Sequence, residues 1–100
     1  MDNEPELTER TPIGGETWQR GTTQIINWTS VGSPGAYVKI ELLKAGVPNR
    51  VIISSTPNDR SHPWLVPATQ TLGSDYKIRI TSTSNLAYTD MSNDNFNISS

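Results

Sequence analysis

The chain has 100 residues, of which 33% are hydrophobic and 18% charged, with a net charge of −2 and a pI near 5.2. This balance argues against a nucleic-acid-binding domain, which needs a basic surface to displace the counterions of phosphate. The sequence has no cysteine, which excludes disulfides, thiolate metal ligands and a cysteine nucleophile. Its length suits one domain, and its richness in Ser, Thr and Asn favours strands with one solvated face.

The apolar runs and the N-terminal residues indicate where in or outside the cell the protein is expected. No apolar run is longer than residues 51–53, so we expect no direct membrane insertion. Residues 1–11 are polar and acidic, without the basic start and apolar middle of a signal peptide. We interpret them as a flexible segment or weak first strand before a domain at residues 12–100. Between a cytosolic protein and a segment of a larger exported chain, we favour the second, which predicts an extracellular or cell-surface location.

Apolar residues recur with a period of two along most of the chain, the pattern of half-buried strands. In chain order, strands are predicted at residues 23–29, 37–44, 50–54, 64–66, 76–81 and 96–98, with a weaker one at 7–11. The predicted inward side chains are Ile26, Trp28, Val38, Ile40, Leu42, Trp64, Val66, Tyr76, Ile78, Ile80, Phe96 and Ile98. Turn-forming residues separate these segments, and none reads as a helix longer than one turn.

Two further features refine this pattern. Pro63 cannot donate a hydrogen bond to a neighbouring strand, so its strand is expected at a sheet edge. The side chains predicted to face water, with opposite charges able to pair across strands, are Lys39, Glu41, Lys44, Lys77, Arg79 and Thr81. Together the patterns predict an all-β fold, an immunoglobulin/fibronectin-III-like antiparallel β-sandwich of about seven strands.

Several motifs follow one another in an order that resembles a known family. They are Pro12–Gly21 (P-x-G-G-E-x-W-x-x-G), Ile26-x-Trp28, Val38-x-Ile40-x-Leu42, Trp64-x-Val66-Pro67, Asp75-Tyr76-x-Ile78-x-Ile80 and Phe96-x-Ile98. This order, over about residues 12–98, is similar to the Ser/Thr-rich GPI-anchored membrane family. Its founding members are yeast cell-wall beta-glucan synthesis proteins of the Kre and Knh type.

The resemblance implies an Ig-like sandwich without agreed catalytic residues. It implies a part in cell-wall glucan assembly for fungal members, and repeated spacers in large surface or secreted proteins for prokaryotic ones. This chain looks more like the prokaryotic type. It departs from the family at Arg60, where a turn glycine is usual, and at Pro63, which is not expected just before Trp64.

Three aromatic residues are candidates for a ligand-binding surface: Trp18, Tyr37 and Tyr88. Flat aromatic rings can stack on sugar rings, so these residues would serve a cell-wall polysaccharide of the beta-glucan kind. The alternative is structural, because Trp18 could cap one end of the core and scattered surface tyrosines are ordinary.

An oxygen-rich cluster near the C-terminus could hold calcium, which takes six to eight oxygen ligands. Its members are Asp90, Asn93, Asp94 and Asn95. The spacing lacks the glycine and distal glutamate of an EF-hand loop, and these residue types are also common in turns. We therefore predict no metal as part of the fold and keep calcium at this cluster as the alternative.

A polar group around His62 is a candidate for acyl-transfer chemistry. The other members are Asp59, Ser61 and Asp75. Nucleophilic catalysis needs a base beside the nucleophile and an oxyanion hole, and the chain has no Gly-x-Ser-x-Gly motif. We predict an exposed polar loop histidine, no enzyme activity and no cofactor.

The sequence thus predicts a non-catalytic structural, spacer or adhesion-type module of a larger cell-surface or secreted protein. The alternative is a module that binds cell-wall polysaccharide. The expected partners are neighbouring domains of the same chain or other surface proteins, with polysaccharide under the alternative and no nucleic acid. The domain itself is expected to be a monomer.

Overall fold

The structure, a computed structural model, describes residues 6–32 and 34–100. Its nine strands are β1 (Glu6–Thr11), β2 (Thr17–Gln19), β3 (Thr23–Val31), β4 (Tyr37–Lys44), β5 (Val47–Pro57), β6 (Ser61–Leu65), β7 (Gly73–Ser82), β8 (Thr89–Met91) and β9 (Phe96–Ser99). Within the described part of the chain, no helix is long and apolar enough to cross a membrane.

Two sheets pack face to face, as an Ig-like sandwich requires. The smaller sheet has the order β1-β3-β6, and the larger has the order β2-β9-β7-β4-β5 with β8 beside β7. The predicted sandwich is confirmed, and β6, which contains Pro63, lies at a sheet edge as expected. The molecule is elongated, with extents of 45 × 22 × 20 Å.

The core consists of the side chains that the period-two pattern placed inside. All twelve predicted inward residues are buried, and Leu7 and Trp18 join them in one cluster. Trp28 lies in the middle of this core, and its indole N–H donates to Asn58 Oδ1 at 2.8 Å. Asn58 in turn donates to the carbonyl of Gly35 at 3.1 Å, so the buried indole is tied to the connections at one end.

Two tight turns contain residues with a positive φ angle, a backbone conformation that favours particular residue types. The β4–β5 hairpin turns through Ala45 (φ 53°) and Gly46 (φ 78°), and positive φ at both positions suits the right-handed twist of paired strands. Arg60, at the position where the family usually has a turn glycine, has φ 72°. This left-handed backbone conformation costs a residue with a Cβ roughly 1–2 kcal/mol, which is the reason that glycine suits the position.

The chain enters and leaves the fold at opposite ends of the sandwich. At the end we call the upper end, Glu6 of β1 pairs with Val31 of β3. At the other, the lower end, the carbonyl of Ser99 in β9 accepts a hydrogen bond of 2.8 Å from the Arg20 amide. β7 runs from the lower to the upper end, and its ten residues span about 30 Å at roughly 3.3 Å per residue.

The structure also differs from the sequence prediction in places. Two short strands, β2 and β8, were not predicted, and β2 pairs with β9 in parallel rather than antiparallel fashion. Glu41 was predicted to face water, but it is only 7% exposed. Of the segment predicted as flexible or a weak strand, residues 6–11 form β1, whereas residues 1–5 lie outside the described residues.

Candidate functional site

Trp18, the first aromatic candidate, is part of the core. It is 5% exposed, and its ring centroid lies 5.1 Å from that of Phe96 and 6.2 Å from that of Trp64. Its strand is held by parallel pairing with β9, in which Trp18 lies beside Ile98. A ring covered in this way presents no open face to a sugar.

The other two aromatic candidates lie at the upper end. Tyr37 begins β4 and is 50% exposed, whereas Tyr88 is half-buried and packs against the core. The carbonyl of Tyr88 accepts a hydrogen bond from the amide of Ser82, the last residue of β7. Trp18 lies near the other end of β7, about 30 Å away at the rise of an extended strand. The structure therefore brings Tyr37 and Tyr88 to the same end and leaves Trp18 apart.

The oxygen-rich candidates have structural hydrogen bonds. Asp90 lies in β8, and its Oδ2 accepts the amide of Glu9 at 2.7 Å, which ties β1 to the opposite sheet. In the loop after β8, the backbone of Asp94 and Asn95 bonds to the segment around Gly15. Asn93 is exposed in the same loop. Across residues 6–32 and 34–100, no three His, Cys, Asp or Glu side chains are placed to hold a metal ion together.

The polar residues around His62 are separated by the fold. His62 is a half-buried residue of β6, and the Asp59 carboxylate accepts the amide of Ser61 at 3.3 Å. Asp75 lies at the lower end, where its Oδ1 is 2.7 Å from Lys44 Nζ. This contact raises the pKa of Lys44, chiefly through the hydrogen bond. Asp75 is thus paired with Lys44 at the lower end, whereas Asp59 lies near the upper end.

A groove lies on the outer face of the larger sheet. It has a volume of about 490 Å³. Its lining residues are Lys39, Glu41, Arg79, Thr81, Leu86, Thr89, Asp90 and Met91. The cross-strand register places Glu41 opposite Arg79 and Lys39 opposite Thr81, so the charge pairing predicted from the sequence is confirmed.

The buried carboxylate of Glu41 organises the floor of this groove. Arg79 donates to Glu41 Oε1 from Nε at 3.1 Å and from Nη2 at 3.0 Å. Lys39 Nζ lies 3.7 Å from the other carboxylate oxygen. Asp90 adds a second carboxylate to the lining, so the groove holds two cations and two carboxylates and carries no net charge.

Hydroxyl and apolar side chains form the remainder of the groove. The hydroxyls of Thr81 and Thr89 lie 3.0 Å apart, and Thr89 donates to the carbonyl of Ile80. Leu86 is 74% exposed and Met91 40% exposed. A surface with hydrogen-bonding groups beside apolar side chains can bind a polyhydroxylated ligand, whose C–H faces and hydroxyls need both.

Glu9 is a buried acid of β1, a segment for which the sequence predicted only a weak strand. It is 2% exposed, and neither carboxylate oxygen has a hydrogen-bond partner in the described residues. The available signal was the period of two, which places Glu9 on the same inward face as Leu7. In the structure, Glu9 lies opposite Trp28 on β3.

The surroundings of Glu9 favour its protonated form. The pKa of its carboxyl is raised from 4.5 to about 8, chiefly by burial and in smaller part by the nearby charges of Asp90 and Glu16. The Ser92 hydroxyl opposes this shift. However, that hydroxyl already donates to the carbonyl of Pro12 at 2.7 Å, so its hydrogen is not free for Glu9. The carboxyl is thus mostly neutral at pH 7.

Comparison with known proteins agrees with this architecture. The model of the Kre9/KNH-like N-terminal Ig-like domain family matches residues 11–98, and the chain therefore belongs to this family. The resemblance proposed from the motifs is confirmed. Membership makes the chain a cell-wall-related module with a structural type of fold rather than that of a known enzyme class. Neither a curated protein nor a solved structure matches the chain.

Proposed function

We propose that this member of the Kre9/KNH-like family is a non-catalytic structural module that separates neighbouring domains in a cell-surface or secreted protein. The observation that supports this most directly is the position of its first and last strands. β1 begins at the upper end, and β9 finishes at the lower end of a molecule 45 Å long. Domains attached before β1 and after β9 are therefore held apart by about 30 Å, the span of the ten residues of β7 between the two ends.

The packing supports a stiff spacer. Twelve alternating inward side chains form one continuous core between the sheets, and most of them have no exposed surface. Protein interiors packed in this way resist compression, so the distance between the two ends is set by the fold. The partners on this proposal are neighbouring domains of the same chain, or other surface proteins that those domains contact.

The spacer proposal can be tested by placing the domain between two fluorescent proteins and measuring single-molecule energy transfer. A stiff module predicts a narrow distance distribution shifted by about 30 Å relative to direct fusion, from the rise of its strands. The control is a Gly/Ser linker of about 100 residues, whose root-mean-square span is about 55 Å with a broad distribution. A distribution as broad as that of the control would contradict the proposal.

A second candidate function is binding of cell-wall polysaccharide, and the groove on the larger sheet favours it. The guanidinium of Arg79, the ammonium of Lys39 and the hydroxyls of Thr81 and Thr89 converge there beside Leu86. These groups can bond to sugar hydroxyls while the apolar side chain packs against C–H groups. On this second proposal, the sugar-binding surface is the groove rather than the ring of Trp18.

This candidate is tested by an NMR titration of the labelled domain with soluble beta-glucan, chitin oligomers and peptidoglycan fragments. Binding predicts localised shift changes for Thr81, Leu86 and Thr89 that Lys39→Ala weakens. Lys77→Ala is the matched control, because Lys77 is a half-buried lysine on the same sheet face outside the groove lining. Unchanged spectra at millimolar ligand would exclude these glycans.

A further inference from the structure

The sequence contains two triplets of the form Asn-x-Ser/Thr, the acceptor pattern for N-linked glycosylation. One is Asn27-Trp28-Thr29 in β3, and the other is Asn97-Ile98-Ser99 in β9. Such triplets also arise by chance, so the pattern alone does not identify a site. The surroundings of the two asparagines in the fold distinguish between them.

The Asn97 side chain already has a structural role. Its Nδ2 donates to the carbonyl of Glu16 at 3.0 Å, and the backbone N–H of Asn97 donates to the same carbonyl at 2.7 Å. These two bonds hold the segment before β2 against β9, and a sugar on Nδ2 would disturb them. Asn27 is partly exposed, and its side chain makes no hydrogen bond to another described residue. Its Nδ2 is therefore the freer of the two.

The strand geometry directs Asn27 to the outer face of the smaller sheet. Its neighbours Ile26 and Trp28 are buried in the core, and successive side chains of a strand alternate between the two faces. Asn27 lies opposite Thr11 of β1 and opposite Ser61 of β6. Both partners are small, and no described strand packs on this side of the sheet. The space above Asn27 is therefore open.

The outer face around Asn27 carries little charge. Besides Asn27, the register places on it Thr23, Ile25, Thr29 and Val31 of β3, Glu6, Thr8 and Thr11 of β1, and Ser61, Pro63 and Leu65 of β6. Glu6 is the charged member of this set, and Arg10 lies at the register shift in β1. The side chains from β3 and β6 are uncharged polar or apolar. Such a mixture suits a sugar, whose hydroxyls form hydrogen bonds while its C–H groups pack on apolar side chains.

An exposed apolar pair lies next to Asn27 on this face. Ile25 precedes Asn27 by two residues, so the two side chains point the same way, roughly 7 Å apart along the strand. Ile25 is 45% exposed and lies opposite Pro63, which is also exposed. Covering these apolar groups with a sugar removes them from water, which is favourable. The first sugar on Asn27 lies within reach of both residues.

We propose that Asn27 is an N-glycosylation site whose first sugar packs on Ile25 and Pro63 and covers the outer face of the smaller sheet. This inference rests on the proposed cell-surface or secreted location, because N-linked oligosaccharides are transferred to exported chains. An oligosaccharyltransferase takes the oligosaccharide from a phosphate-linked lipid carrier. The bond between the anomeric carbon and that phosphate breaks, the carbon bonds to Asn27 Nδ2, and the Nδ2 proton and the lipid phosphate leave.

The first test is secretion of the full chain from a eukaryotic host, followed by mass spectrometry. Peptide N-glycosidase marks the occupied position, because it converts a glycosylated asparagine to aspartate. The proposal predicts one glycan on Asn27, which is lost in Asn27→Gln and in Thr29→Val and kept in Asn97→Gln. Thr8→Val is the matched control that keeps the glycan, since Thr8 lies opposite Thr29 on the same face but outside the triplet. A secreted chain with no glycan on Asn27, or with one on Asn97, would overturn the proposal.

The second test measures whether the sugar packs on the sheet. With its glycan trimmed to one N-acetylglucosamine, the protein should unfold at a higher urea concentration than the same chain made in bacteria without sugar. Ile25→Thr should abolish this difference, whereas Val31→Thr, which changes another exposed residue of the same strand and face, should keep it. A difference that Ile25→Thr leaves unchanged, or no difference in the unsubstituted chain, would overturn the packing on Ile25.

These outcomes are separate from those of the spacer proposal. A sugar on the outer face of the smaller sheet does not alter the distance between the upper and lower ends, so its absence leaves the predicted energy transfer intact. A broad distance distribution in the fluorescent fusion would instead refute the spacer proposal, whatever Asn27 carries.

Discussion

Glu9 makes the stability of this domain depend on pH in an unusual direction. Its carboxyl is buried without a hydrogen-bond partner in the described residues, and this burial raises its pKa from 4.5 to about 8. The folded state therefore holds the proton more tightly than the unfolded state does. Stability from this group is fully present below pH 4.5 and is lost as the pH rises toward 8.

The size of the effect follows from the two pKa values. Each pH unit between the two pKa values corresponds to about 1.4 kcal/mol, and by pH 7 about 2.5 of the roughly 3.5 units between them have been crossed. The free energy of unfolding should fall by about 3 kcal/mol over this range because of Glu9 alone. In a domain with a total stability of roughly 5–15 kcal/mol, that loss is easily measured.

The assay is urea unfolding followed by tryptophan fluorescence at several pH values from 4 to 9. The buried Trp18, Trp28 and Trp64 supply the signal. Glu9→Gln keeps the shape of the side chain without the titration, so it should flatten the profile and be more stable than the wild type at pH 8. Glu6→Gln, an exposed glutamate on the same strand, is the matched control and should leave the profile unchanged. Parallel profiles for the wild type and Glu9→Gln would refute the reasoning.

Three further substitutions test the fold. Arg60→Gly should raise the free energy of unfolding by about 0.5–1 kcal/mol by relieving the positive φ, whereas Arg60→Ala should not; equal effects in urea unfolding would contradict this. Trp64→Ala should cost about 3–5 kcal/mol by emptying part of the core, and a loss below 1 kcal/mol by calorimetry would disagree. Arg79→Ala should lower the free energy of unfolding by about 1–2 kcal/mol, which is less than the loss of a fully buried ion pair because the guanidinium is partly exposed. Adding Glu41→Gln to Arg79→Ala should recover part of that loss.

The alternation of the sequence determined which side chains form the core. Residues such as Val38, Ile40 and Leu42 recur every second position, and a strand directs them to one face whatever its neighbours are. Pro63 likewise placed β6 at a sheet edge, because a missing N–H is a local property. The same periodicity placed Glu41 and Arg79 on outward faces, where opposite charges could pair across strands, but their register came from the sheet.

The tertiary structure decided how deeply each side chain is buried and which other side chains it contacts. The period of two gives Glu41 an outward direction, but only the neighbouring Arg79 and Lys39 bury its carboxylate. Trp18 joins the core because β2 pairs with β9, a strand far along the chain, and no local pattern of three residues indicates such a pairing.

The candidate site depended still more on long-range placement. The sequence identified Tyr37 and Tyr88 by residue type, and the groove at Arg79 exists only because β4, β7 and β8 lie side by side. The opposite positions of the first and last strands likewise depend on sheet order, which short-range patterning does not encode. Local periodicity thus specified the fold class and its core, while contacts between distant segments decided the burial of Glu9, the groove and the two ends.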